Sequence, residues 1–344
     1  MRKLLLLACV TPLLAIAAKT LDFYTIDVEG GKSVLVVTPA GQSMLLDVGW
    51  PKLSDREAST DQIVAALKGA GLQQLDYLLI SHFDVDHLGD VPALAARFPI
   101  RHILDHGEPA HADPDRFKAY DELRRKIGFT VLKPGDKLPL KGVDVEVVTA
   151  AGRRISKPMR GAGAANPLCA SNPQKAALAT DVEDDQSIGL LFQFGVFRML
   201  DLADLEAHPS HDLVCPVNLV GTVDVYHVNV HGQFKGLAPE LTGAIRPTVA
   251  IMGNGARKGA DPETWPVLRS TPGLEDIWQV HYSARATKDT NPPPDFIANL
   301  EQSPDPFAMI KIAVQADGSY TVTNTRNGFS KTYKAGVAGG KKKP

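Results

Sequence analysis

Between positions 81 and 90 the chain reads SHFDVDHLGD, so His82, Asp84, Asp86 and His87 fall within six consecutive residues directly behind the apolar run Tyr77-Leu78-Leu79-Ile80. A chain leaving a buried strand into a tight loop can turn His82 and Asp84 toward one point and Asp86 and His87 toward a second. Neutral imidazole and carboxylate are ligands for zinc, manganese or iron. A solvated loop with two incidental histidines is the plain alternative. Four ligand-type side chains between apolar flanks make it the weaker one.

The stretch resembles the H-x-H-x-D-H signature of the metallo-β-lactamase superfamily, followed as there by a small apolar residue and Gly89. Here it stands as H-x-D-x-D-H, with Asp84 where most members carry a second histidine. That variant resembles the hydrolase domain of bacterial DNA-uptake (competence) channel proteins. An oxygen ligand in place of nitrogen softens zinc preference and admits manganese.

The resemblance extends along the chain. The opening, I-D-V-E-G-G through L-L-D-V-G, is similar to that of the superfamily and makes Asp47 a candidate for supporting the metal loop. Leu202-Ala203-Asp204-Leu205-Glu206 resembles the L-x-G-D-x-E of the DNA-uptake hydrolases, which implies a bridging role for Asp204, with Asp201 as the fallback. Asn229-Val230-His231-Gly232 stands where those relatives read H-H-G-S, so His231 matches the second histidine and Val230 replaces the first. The implied centre holds His82, Asp84 and Asp204 about one cation, and Asp86, His87, Asp204 and His231 about the other. Asp184 or Asp185 fills the gap in the first set. The cofactor expected is Zn²⁺, with two ions as the full complement and Mn²⁺ as the alternative.

Local patterning agrees with a layered fold. Residues 21–27, 33–38 and 43–47 read as strands joined by short turns, and 61–71 has helical apolar spacing closed by glycines, delivering the chain to the strand before the metal loop. Strands are expected near 100–104, 129–132, 143–149, 187–194, 196–200, 223–228, 247–252 and 274–278, helices near 91–97, 115–127 and 265–268, and a terminal hairpin over 307–314 and 319–324. The expectation is a four-layer αββα sandwich. Residues 150–185 are rich in Gly, Ala, Pro and Asn without periodicity, and read as a lid or rim over the cleft. His106 reads as an exposed loop histidine, and His281 as a distal group.

At 344 residues and 44% apolar content, the chain is long enough for one large domain, assigned to 19–335. Residues 1–18 have the charged start, short apolar run and Ala15-Ile16-Ala17 end of a signal peptide, so a secreted or periplasmic protein is expected, with no membrane span once the signal is removed. Export would leave two cysteines, Cys169 and Cys215, either paired in an oxidising compartment or buried as thiols. Residues 336–344 read as a flexible tail. The net charge of −2 gives no electrostatic support for sequence-independent nucleic-acid binding.

The function expected is metal-dependent hydrolysis by a metal-bound hydroxide, with Asp86 orienting it or receiving the proton. A phosphodiester is the preferred substrate, with nucleic acid left open as a partner. A small ester, lactone or lactam is the alternative within enzymes. A non-catalytic binding protein with a degenerate metal site is the alternative outside them.

Overall fold

The computed structural model describes residues 20–54, 57–171, 182–302 and 306–336. Residues 1–18, read above as a signal peptide, and residues 337–344 of the tail lie outside the described residues. Strands β1 (Leu21–Thr25), β2 (Val34–Val37), β3 (Ser43–Leu46), β4 (Tyr77–Leu79), β5 (Ile103–Asp105) and β6 (Phe129–Val131) lie in chain order in one sheet. The chain then builds a second sheet from β7 (Asp144–Ala150), β8 (Arg153–Arg154), β9 (Gly189–Phe194), β10 (Phe197–Asp201), β11 (Val225–His227), β12 (Val249–Met252), β13 (Asp276–His281) and β14 (Ile297–Asn299). It returns to the first sheet with β15 (Ile310–Val314), β16 (Ser319–Asn324) and β17 (Ser330–Lys334), laying β15 antiparallel against β1.

Alternation along the strands explains the layers, because successive side chains of a strand face opposite sides of its sheet. Val34 and Val36 of β2, Met44 and Leu46 of β3, Leu190 and Phe192 of β9, and Phe197 and Met199 of β10 all point into one core between the sheets. Their neighbours Leu35 and Leu45 point outward into a core shared with Ile63 and Leu67 of α1 (Thr60–Gly69), with Leu94 a little further along the chain and with Tyr120. On the other flank, Leu191 and Leu200 meet Leu213, Leu241, Ile245 and Leu268, which are helical. Both sheets are thus buried on both faces, and the arrangement is the four-layer αββα sandwich.

Strands β3 to β6 run parallel to one another, and so do β10 to β14. Parallel sheets gather the loops at their carboxyl ends on one rim, the usual place for a ligand site in such a fold. The loops after β4, β10, β11 and β12 all leave from these ends.

Two expectations change. The terminal hairpin is a three-stranded meander, because Ser330–Lys334 pairs with β16. That strand buries only Tyr333, whose hydroxyl donates to Asp276 at 2.7 Å and accepts from the Trp278 indole at 3.1 Å, so its apolar alternation is too faint to read. The described part of 150–185 is not patternless: Met159, Gly163 and Asn166 donate backbone hydrogen bonds to Leu219, Asn218 and Pro216 at 2.8, 2.9 and 3.0 Å. Cys169 and Cys215 are joined in a disulfide with Cα atoms 5.8 Å apart, tying the same two segments. Residues 172–181, where the lid reading also fell, are outside the described residues. No helix among the described residues is long and apolar enough to cross a membrane.

Candidate metal centre

Past β4 the chain runs extended to Asp84 and makes a single helical turn, Val85–Leu88, that sets Asp86 and His87 side by side. Asp84 starts this turn yet its carboxylate makes no capping bond, which leaves it directed elsewhere. Gly89 closes the turn at φ 55°, where a Cβ would stand 2.6 Å from the Val48 carbonyl oxygen. Only glycine lets the loop dock on the end of β3, where Val48 N–H donates to the His87 carbonyl at 2.8 Å. The glycine of the motif therefore serves the backbone.

The other groups arrive from the second sheet. Asp204 follows β10 through Ala203, held at φ 50°. His231 follows β11 through two left-handed residues, Val230 at φ 50° and His231 at φ 55°. A β-branched residue in that region is a true outlier, and such conformations cost on the order of 1–3 kcal/mol each. The turn is held by packing: a Cβ on Gly259 would lie 2.2 Å from the His231 carbonyl oxygen.

The structure brings the predicted residues together. Asp204 stands between two imidazoles, with Oδ1 3.4 Å from His87 Nε2 and Oδ2 3.1 Å from His231 Nε2. Asp86 Oδ2 is 3.2 Å from His231 Nε2 and 3.5 Å from His87 Nε2. His82 Nε2 faces Asp184 at 3.5 Å and Asp84 at 3.9 Å. Three sets of donor atoms converge within 4.8 Å of one another: His82 with Asp84 and Asp184, His82 with His87 and Asp204, and Asp86 with His87 and His231. Of the two carboxylates proposed to complete the first set, Asp184 is the one in this convergence.

A partner set orients these candidate ligands. Asp47 accepts from Ser81 N–H at 2.7 Å and from Ser81 Oγ–H at 2.6 Å, and its Oδ2 meets His87 Nδ1 at 2.9 Å. His231 Nδ1 lies 3.3 Å from the Gly253 carbonyl oxygen, and His82 Nδ1 lies 3.1 Å from Ser81 Oγ. In each case the outer nitrogen is engaged and Nε2 turns inward. Such pairing fixes the tautomer of a metal-binding histidine.

The electrostatics show what the cluster lacks. Burial disfavours the charged form of His87, yet Asp204, Asp86 and Asp47 push its pKa well above the ordinary histidine value. Burial likewise opposes the charges on Asp86 and Asp204, but surrounding cationic groups hold both below the usual carboxylate range. His82 Nε2, fully buried, has no hydrogen-bond partner. His87 Nε2 and His231 Nε2 face each other at 3.3 Å, where one of the two must act as acceptor. Inward imidazole nitrogens, one of them unsatisfied, among buried carboxylates are the donor set a divalent cation completes, so these residues fit a metal.

Several further neighbours border the centre. Lys258 Nζ pairs with Asp86 and lies 5.0 Å from the Trp50 ring centre. Lys235, not singled out by any motif, pairs with Asp184 and with Glu206 at 3.1 Å. Glu183 accepts from Phe83 N–H at 2.9 Å and meets His106 Nε2 at 3.0 Å, bracing the metal loop between His82 and Asp84. His106 is accordingly buried, contrary to the exposed loop histidine expected. Asp201 is withdrawn from the centre, because both its oxygens accept from Lys32 Nζ at 2.8 Å. His281 stands with Asp27 and Glu29 in a separate cluster.

Residues 26–156 match the family model described as Metallo-beta-lactamase superfamily. The match ends before Asp204 and His231, whose convergence on the first-half ligands is supplied by the fold. The architecture is the metallo-β-lactamase fold, and residues 26–156 are similar to that superfamily of metal-dependent hydrolases. Among solved structures, a metallo-β-lactamase fold protein, YhfI from Bacillus subtilis, is 11% identical, with 76% of this chain and 96% of that one covered at a TM-score of 0.46. A metallo hydrolase from Ignicoccus hospitalis is 13% identical, with 75% and 94% covered at 0.42. A protein from Parabacteroides distasonis, named as a metal-dependent hydrolase, is 18% identical, with 74% and 91% covered at 0.41. At these identities and scores the likenesses carry no weight for activity. No curated protein matches the chain.

Proposed function

We propose that this protein is an exported phosphodiesterase, related in its site to the DNA-uptake hydrolases, that works with two divalent cations. His82, Asp84 and Asp184 would hold one, Asp86, His87 and His231 the other, and Asp204 would reach both. The observation that carries the reading is the placement of Asp204 between His87 and His231, beside a His82 Nε2 that has no partner. Zn²⁺ suits the imidazole-rich position, and one nitrogen with two carboxylates at the other also admits Mn²⁺.

Bound cations supply Lewis acidity and a water ionised near neutral pH. The chain's own residues do the rest. Asp47 and Ser81 fix the direction of His87, Glu183 fixes the loop, and Asp86, displaced from Lys258, is placed to accept a proton in the centre. Lys258 and Lys235 approach from the Asp86 and Asp184 ends, so an anion seated between them meets positive charge on both sides. That pair favours a phosphodiester over a neutral ester. Export is supported by the leader-like residues 1–18 and by the Cys169–Cys215 disulfide, which suits an oxidising compartment.

A small ester, lactone or lactam is the second reading, favoured by the net charge of −2. Metal analysis of the purified protein, then turnover of bis(p-nitrophenyl) phosphate against nitrocefin and a lactone with Zn²⁺ or Mn²⁺ added, separates them. Phosphodiester turnover is expected. Lactone or nitrocefin turnover alone would replace the substrate class, and bound metal with no turnover would favour a binding protein.

A further inference from the structure

A second group of ligand-type side chains lies where the two sheets meet, sharing no residue with the centre above. Asp27, just past β1 in the first sheet, and His281, the last residue of β13 in the second, are both fully buried. Glu29, at φ 55°, completes the group and is its half-buried member. His281 Nε2 lies 2.7 Å from Asp27 Oδ2 and 3.4 Å from Glu29 Oε1.

These contacts are close but not aligned. Neither nitrogen of His281 nor Asp27 Oδ2 has a hydrogen-bond partner, because the in-plane N–H direction of the ring misses the carboxylate. An imidazolium would leave two buried N–H groups without acceptors, at about 1–3 kcal/mol each, whereas a neutral ring turning the Nε2 lone pair toward a cation leaves one. No lysine or arginine among the described residues pairs with Asp27, so the buried carboxylate has no side-chain cation except His281 itself. Nitrogen and oxygen donors that crowd together without facing one another are what ligands do around a shared ion.

We propose that Asp27, Glu29 and His281 form a distinct divalent-cation site that joins the ends of the two sheets. One imidazole and two carboxylates suit Zn²⁺ or Mn²⁺, with water completing the shell on the exposed side of Glu29. The ion would also fix the loop after Asp27. That loop packs on the segment carrying Lys258, since a Cβ on Gly30 would lie 2.9 Å from Lys258 Cβ and one on Gly255 would lie 2.5 Å from the Glu29 carbonyl carbon. The site thereby positions Lys258 without touching substrate.

Crystals of the protein soaked in millimolar Zn²⁺ alone, and separately in Mn²⁺ alone, would be measured at the absorption edge of each metal, with elemental analysis of the protein and of His281→Gln in parallel. An anomalous peak between His281, Asp27 and Glu29 is expected, with one equivalent lost in His281→Gln while the peaks at His87 and His231 persist. Peaks at the main centre with none at this cluster would overturn the site and leave the hydrolase reading intact. A peak here with none at the main centre would do the reverse. If His281→Gln does not fold, the wild-type map still decides.

Discussion

The ends of β10 and β11 carry the same residue types twice. Asp201 and His227 are register partners at the strand ends, and Asp204 and His231 lie three and four residues further on. The first pair is filled from within by Lys32, which donates to both Asp201 oxygens at 2.8 Å and lies 3.3 Å from His227 Nδ1. Burial and Lys32 push the His227 pKa down to about 3, while Lys32 prevails over burial in lowering Asp201. The second pair is surrounded by Asp86 and His87, and there the imidazole of His87 is pushed up instead. A histidine beside a lysine is held neutral, and a histidine among carboxylates calls for positive charge. The difference separates an ionic brace built around Lys32 from a candidate metal cluster.

Breaking the second cluster should have the largest effect. His87→Ala is expected to abolish metal at the Asp86–His231 position and with it hydrolysis, and unchanged metal content by elemental analysis would remove His87 from the ligands. Breaking the first cluster should act on stability instead. Lys32→Met strands the Asp201 charge in the interior and should cost about 3–5 kcal/mol in urea denaturation, with metal content retained. Adding Asp201→Leu should recover part of that loss. If Lys32→Met instead removed metal with stability unchanged, the two clusters would not be separable.

A subtler test keeps every ligand in place. Asp47→Asn disturbs the orientation of His87 and should lower metal affinity about 10–100-fold in a chelator competition, with little change in fold. The smallest effect expected is in pH. Because His227 stays neutral in the fold, with its pKa taken from 6.5 to about 3, the unfolded chain binds the proton first. Its contribution is complete above pH about 6.5 and is lost as pH falls toward about 3, so stability should decline over that window, less steeply in His227→Gln. An identical slope in both would show that the brace does not depend on a neutral ring.

The sequence disclosed most of the frame because strand alternation has a period of two, and a strand buried on both faces carries it plainly, as Val34 to Val37 do. It brought out the candidate ligands of the first half because they lie within one loop. It preferred Asp204 to Asp201 through a resemblance alone, since the physical ground for setting Asp201 aside is Lys32, far away in the chain. It could not show Glu183, which braces Phe83 across about a hundred residues through a backbone N–H. Lys235 follows no motif. Contacts made between distant segments, or to the backbone, leave no periodic trace.

The pairing of Leu21 with Val314 joins segments nearly three hundred residues apart in sequence. As the polypeptide emerges from the ribosome, β1 must wait for nearly three hundred further residues before its outer neighbour exists, and Asp204 and His231 also arrive long after His82. Early and late segments must therefore find each other late, at the entropic cost of closing a loop of that length. Until β15 is in place, the outer edge of β1 stands open to pairing with other chains.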